Sequence, residues 1–210
     1  MKTSRVGRRE FVRGIAGSAA AVVALPAPGF GTPIPRQAAP SIKFGVIGLN
    51  HGHIYGQVSA VQRGGGELVS MFAKEPDLVA AFVKRHPNVK VARSEAEVLE
   101  DKSLQLVVSA SIPDERGPLG VRVMKHGKDF LVDKPGITTL EQLAEVRKVQ
   151  AETKRIYSIM YSERLENRAT VKAGELVQAG AIGRVVQTIG MGPHRTSLKT
   201  RPAWFFERQR

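Results

Sequence analysis

The sequence predicts an α/β domain built on a doubly wound parallel sheet. Three observations carry that prediction. Six short apolar runs alternate with helical patterns between Ile42 and Met160, a glycine turn follows the first run, and the rhythm changes after Tyr161. Short buried strands separated by amphipathic helices assemble into parallel sheets through right-handed crossovers.

The first strand is expected over Ile42–Ile47, ending in the turn Gly48-Leu49-Asn50-His51-Gly52-His53. A helix then carries Ile54, Val58 and Val61 on one face and stops at Gly64-Gly65-Gly66. Leu68–Phe72 reads as the second strand, and Pro76 sits where the first turn of a helix accepts it, ahead of Leu78, Ala81 and Phe82. Val89–Val91 is a brief third strand. Ser94 with Glu97 three residues on has the form of a capping box opening a short helix. Leu104–Ala110 is the fourth strand and Phe130–Val132 the fifth, with a helix through Val121 and Met124 between them. Thr139 and Gln142 open a helix bearing Leu140, Leu143, Val146 and Val149, and Ile156–Met160 closes the series. Beyond Tyr161, Ala169, Ala173, Leu176 and Val177 form a helical stripe ended by Gly180, Arg184–Ile189 is expected to begin a strand, and Trp204-Phe205-Phe206 expects a partner surface.

Ahead of all this lies Arg8-Arg9 with Phe11, then an apolar run from Ile15 to Leu25 that is shorter than the about 20 residues a spanning helix needs. A basic segment followed by a short apolar one reads as an export signal, and the arginine pair makes it the twin-arginine type. Pro26–Pro40 reads as a Pro-, Gly- and Ala-rich linker. The expected partner of this leader is the twin-arginine translocation machinery, and the expected address is periplasmic or otherwise extracytoplasmic. Residues 1–40 carry +5 of the formal +13 charge, and the remainder is spread along the chain. Nucleic-acid binding calls for a clustered basic face or a known motif, and neither is visible. With no cysteine, disulfides and thiolate metal sites are excluded.

A strand, a glycine turn and a helix in that order form the pyrophosphate site of a dinucleotide (Rossmann) fold, where backbone N–H groups and the helix dipole meet the phosphates. Gly48 holds the first glycine position. Asn50 and His53 stand at the second and third, Asn50 as the residue that best replaces glycine at positive φ. His51 and His53 are expected to line the cofactor turn rather than to hold a metal, since no second ligand cluster accompanies them. About 20 residues further on, the second strand ends Phe72-Ala73-Lys74, with no carboxylate at Ala73 for a ribose hydroxyl. Lys74 could face a 2′-phosphate, which favours NADP over NAD, or be a solvated loop residue; Glu75 and Asp77 nearby weigh against the phosphate. Asp133-Lys134-Pro135 follows the fifth strand at the edge where such sheets bind ligands, and a lysine there can hold a substrate hydroxyl or ease its proton transfer.

Taken together, Gly45-Val46-Ile47-Gly48, Glu67-Leu68-Val69 with Pro76, Gly127-Lys128-Asp129-Phe130-Leu131-Val132-Asp133-Lys134-Pro135 and Gly180-Ala181-Ile182-Gly183-Arg184-Val185 resemble the glucose–fructose oxidoreductase/inositol dehydrogenase (Gfo/Idh/MocA) family from Ile42 to Arg210. The resemblance implies a Rossmann domain over residues 41–161, binding NADP or NAD. Residues 162–210 would then begin an α+β second domain with a mostly antiparallel sheet. It implies a carbohydrate or polyol substrate, a homo-oligomer at full length, Lys134 as the catalytic and substrate-binding lysine, and cofactor contacts from Asp133, Pro135 and Ser111. The family's Ala-Thr-Pro-Asn-x-x-His appears here as Ala110 to Arg116, so Arg116 stands where a histidine would meet substrate or nicotinamide. The family's Asp/His pair of the second domain finds no counterpart up to Arg210, so the chain as given is expected to lack a general acid–base residue. The competing expectations are a non-catalytic nucleotide- or ligand-binding protein of the same fold and a redox-neutral NAD-dependent glycosidase. For an exported oxidoreductase, a tightly held cofactor is expected.

Replacing Arg8 and Arg9 by lysine keeps the charge and removes the guanidinium fork. The precursor should then stay in the cytoplasm on cell fractionation; periplasmic accumulation at the normal rate would sink the export reading.

Overall fold

The computed structural model describes residues 42–192, 197–208 and Arg210, so the leader and linker expected over residues 1–40 lie outside the described residues. Strands β1 (Lys43–Ile47), β2 (Glu67–Phe72), β3 (Lys90–Val91), β4 (Leu106–Ser109), β5 (Asp129–Asp133) and β6 (Tyr157–Met160) form one sheet. Its order is β3-β2-β1-β4-β5-β6, every pair is parallel, and the direction of strand addition reverses between β1 and β4. This is the doubly wound sheet read from the sequence.

Helices α1 (His53–Arg63), α2 (Pro76–Arg85), α3 (Glu95–Glu100), α4 (Pro113–Lys125) and α5 (Leu140–Thr153) connect the strands and cover both faces. Side chains alternate across a strand, so Phe44, Val46, Met71 and Val108 pack with Ile54, Val58 and Phe82 on one side. Ile47, Val107, Phe130 and Val132 pack with Val98, Leu119 and Val123 on the other. Burial on both faces is what a parallel sheet requires, and each such side chain contributes about 1.5–3 kcal/mol.

The local signals act as read, with two refinements. Ser94 Oγ accepts from Glu97 N (3.2 Å), but the Glu97 carboxylate reaches back to Arg93 N (2.8 Å) and not to Ser94. Thr139 Oγ1 accepts from Gln142 N (3.2 Å), whereas the Gln142 side chain accepts from Thr138 N and donates to the Asp114 carbonyl (2.9 Å). That last bond has a cause inside α4. Pro118 has no N–H to give the carbonyl four residues back, which is that of Asp114, and Gln142 supplies the missing donor. Gly117 makes room for it, since a Cβ there would lie 2.8 Å from Gln142 Oε1. Gly120 in turn lets α4 lie flat on Phe130 and Tyr157, whose rings occupy the place of its Cβ.

After β6 come α6 (Ser162–Leu165), α7 (Arg168–Gln178), and 3-10 turns at Leu198–Thr200 and Ala203–Phe206. Asn167 Oδ1 caps α7, and Gly180 follows it at φ +74°. The stripe of Ala169, Ala173, Leu176 and Val177 is nevertheless exposed. The strand expected at Arg184–Ile189 does not form. Its residues are exposed and irregular, with Val186 84% and Ile189 81% accessible, and they pair with no strand among the described residues, so extended backbone gains no ladder. Among the described residues, no helix is long and apolar enough to cross a membrane.

Candidate functional site

The carboxyl ends of β1, β4 and β5 meet where the sheet reverses, the place such sheets bind ligands. Gly48 leaves β1 at φ +84°. Its N–H donates to the Phe72 carbonyl (2.9 Å), its carbonyl accepts from Ala110 N (3.2 Å), and His51 N donates to the Ala110 carbonyl (3.0 Å). A Cβ on residue 48 would sit 2.6 Å from Ser111 Cβ and 3.0 Å from its Cα. Glycine is therefore required here twice, for its φ and for the approach of Ser111, and this cradle at the start of α1 fits a pyrophosphate.

Asn50 does not do what its motif position suggests. The positive-φ residues other than glycine, among those described, are Lys154 and Ser197, so Asn50 keeps an ordinary backbone. Its Nδ2 instead donates to Glu75 Oε1 (2.8 Å). Asn50, Lys74, Glu75, Gly48 and Ser111 line a cavity of about 350 Å³ on the β2 side of the turn. Lys74 Nζ lies 4.0 Å from the Glu115 carboxylate.

On the β5 side, Asp133 is 3% accessible and is the centre of a network. Oδ1 lies 2.9 Å from His53 Nδ1 and accepts from Lys134 N (2.8 Å); Oδ2 lies 3.2 Å from His51 Nδ1 and 3.4 Å from Arg116 Nη2. The two imidazoles meet edge to face, centroids 4.1 Å apart. The third donor beside the histidine pair, invisible in the sequence, is thus Asp133, and the ligand atoms of all three fall within 4.8 Å of one another, a spacing that could hold a metal ion. In the geometry described, each carboxylate oxygen already has two nitrogen neighbours, and His51 Nδ1 also lies 3.3 Å from His53 N, which donates to it. Burial pushes the Asp133 carboxyl up, but the histidine hydrogen bonds and the Arg116 charge outweigh it and hold it at about 2.

Arg116, expected to meet substrate, has another task. It is 1% accessible, and its guanidinium donates to the carbonyls of Ser111 (2.7 Å), Asp133 (3.2 Å) and Pro135 (3.0 Å) besides the Asp133 carboxylate. It ties the end of β4 to the loop after β5, which contains a cis Lys134–Pro135 bond. The Tyr157 hydroxyl donates to the Gly136 carbonyl (2.5 Å), and buried Gln57, with its amide oriented to satisfy both neighbours, accepts from Asp133 N (2.9 Å) and donates to Ser109 O (3.2 Å). The result is a braced loop presenting half-buried Lys134 to a cavity of about 460 Å³, shared with His51, Trp204, Phe205 and Arg201. Sequence reasoning missed Gln57, which carries no motif. It also missed the role of the terminal turn, although the aromatic cluster announced a surface to cover; Arg210 fastens that turn to Asp114 (3.1 Å) and Glu115 (3.5 Å).

A family model described as an oxidoreductase family with an NAD-binding Rossmann fold matches residues 42–161. A crystal structure of a protein named as an oxidoreductase, from Erwinia carotovora atroseptica SCRI1043, is 41% identical with a TM-score of 0.78, over 80% of this chain and 50% of that one. The WlbA dehydrogenase of Bordetella pertussis, in complex with NADH and UDP-GlcNAcA, shares the fold at 20% identity and a TM-score of 0.60, over 69% of this chain and 44% of that one. An uncharacterized oxidoreductase of Schizosaccharomyces pombe is 26% identical over 102 residues, 49% of this chain and 27% of its own length. The chain thus spans about a quarter of that curated relative.

Because the folded Asp133 carboxyl sits below its ordinary 3.8, its contribution is complete above about pH 4 and is lost as pH falls toward 2. Asp133→Asn should remove at least about 2 kcal/mol of stability at pH 6, the pH-linked part alone, and flatten the acid limb, read by urea unfolding at several pH values. An unchanged acid limb would show that the carboxylate is not held by this network.

Proposed function

We propose that this chain, which belongs to the Gfo/Idh/MocA oxidoreductase family with its NAD-binding Rossmann fold, serves hydride transfer between a nicotinamide dinucleotide and a hydroxyl-bearing carbon of a sugar or polyol. The observation that carries this reading is the placement of Lys134, on a braced loop at the carboxyl edge of the sheet, facing a 460 Å³ cavity beside the Gly48 turn. The dinucleotide's nicotinamide ring, when bound, supplies the hydride acceptor or donor. The chain supplies the rest. Gly48 and the start of α1 hold the pyrophosphate, Asn50, Lys74 and Ser111 flank the adenosine side, and the Asp133 network fixes the loop. Lys134 Nζ holds the substrate hydroxyl and takes or returns its proton. Trp204 and Phe205 offer an apolar wall against which a sugar ring can lie. The reading of Arg8-Arg9 and the apolar run after it as a twin-arginine leader supports an address outside the cytoplasm, where a cofactor held through the whole cycle suits the scarcity of free nicotinamide.

Gly48→Val should abolish dinucleotide binding by titration calorimetry while the far-ultraviolet spectrum of the sheet persists, because the branched side chain collides with Ser111 and the turn. Equal affinity in the two proteins would place the nucleotide elsewhere.

In a form spanning the length of its relatives, Lys134→Met should lower turnover on the responsive sugar or polyol by about 10²–10⁴-fold with dinucleotide affinity nearly retained. Full turnover in that variant would remove Lys134 from the chemistry.

A further inference from the structure

The cavity on the β2 side of the glycine turn carries more information than a place for adenosine. Its charged lining is four acids, Glu75, Glu95, Asp114 and Glu115, against two bases, Lys74 and Arg122. Both bases are engaged. Arg122 forms a two-pronged pair with Glu95 (2.6 and 3.1 Å), and Lys74, its side chain 71% accessible, leans toward Glu115 at 4.0 Å. A 2′-phosphate carries nearly two negative charges and would have to displace these pairs and face the Glu75 carboxylate, since Asp114 and Glu115 are already paired with Arg210 (3.1 and 3.5 Å). A ribose hydroxyl, by contrast, is a donor in search of an acceptor.

Glu75 is that acceptor. It lies three residues past the end of β2, too far along the chain to be singled out by spacing, yet its carboxylate is brought back to the turn by Asn50 Nδ2 at 2.8 Å. The hydrogen bond occupies Oε1 and leaves Oε2 for a second donor. Asn50 thereby acquires a reason to replace the second glycine, since a glycine could not hold the carboxylate.

We propose that Glu75, clamped by Asn50, is the residue that selects NAD over NADP, by accepting from the adenosine ribose 2′-hydroxyl and repelling a 2′-phosphate. The proposal rests on the dinucleotide reading above and deepens it. Its counterintuitive corollary is that restoring a glycine at position 50 weakens discrimination.

Titration calorimetry of the 210-residue chain with NAD⁺ and NADP⁺, at one ionic strength, tests it. The wild type should bind NAD⁺ at least about tenfold more tightly than NADP⁺, the size of one charge-assisted hydrogen bond. Glu75→Gln, which keeps the shape and removes the charge, should bring the ratio close to one, chiefly by improving NADP⁺. Asn50→Gly should bring it part of the way, with the carboxylate still present. Tighter or equal binding of NADP⁺ by the wild type overturns the proposal, as does a ratio unmoved by Glu75→Gln. Binding of neither nucleotide overturns the dinucleotide reading itself, whereas binding of both without preference overturns the selection alone.

Discussion

The buried carboxylate of Asp133 is the constraint on which the crevice depends. It lies at the end of β5, yet its neighbours come from the glycine turn (His51 and His53), from α4 (Arg116) and from its own loop (the Lys134 amide). Three segments far apart in sequence are thereby drawn to one atom pair. A buried charge is tolerable only when it is paired and hydrogen-bonded, and removal of one partner from such a pair typically costs about 3–5 kcal/mol. The arrangement therefore enforces its own completeness. Arg116 lines the β5-side cavity, yet it could not swing out to meet a ligand without leaving Asp133 and three carbonyls behind.

The sheet is legible in the sequence because each strand is short, apolar and flanked by helical periodicity, and because both faces are covered. The caps at Ser94 and Thr139 and the proline at Pro76 are local signals with local causes, and they act where they stand. Arg184–Ile189 is different. A strand is a pairing rather than a property of a segment, and this stretch pairs with no strand among the described residues. The backbone setting of Gly48, Lys134 and Ser111 is readable from motif because the elements on either side fix it. Asn50 and Arg116 are found by the same motifs but mistaken in role, since what they do is decided by Glu75 and Asp133, distant partners that spacing does not reveal. The histidine pair shows the same limit, for its third companion lies 80 residues away.

The two cavities flank one turn but are governed by different chemistry. The β2 side is acidic and laced with ion pairs, while the β5 side presents cationic and aromatic groups. Arg210 lies at the boundary. It reaches Asp114 and Glu115, so the turn bearing Trp204 and Phe205 is fastened to the wall of the acidic cavity while it covers the other.

Pro118 gives α4 a property that a regular helix lacks. Ahead of it, the turn carrying Asp114, Glu115 and Arg116 is held at the Asp114 carbonyl by Gln142 of α5 in place of a bond from its own helix. That turn behaves less as the start of one rod than as a knuckle seated on another. Farther along, Met124 of α4 packs against Val146 and Val149 of α5. The segment that carries Arg116 thus takes its place from the neighbouring helix, by an amide at one end and an apolar contact at the other.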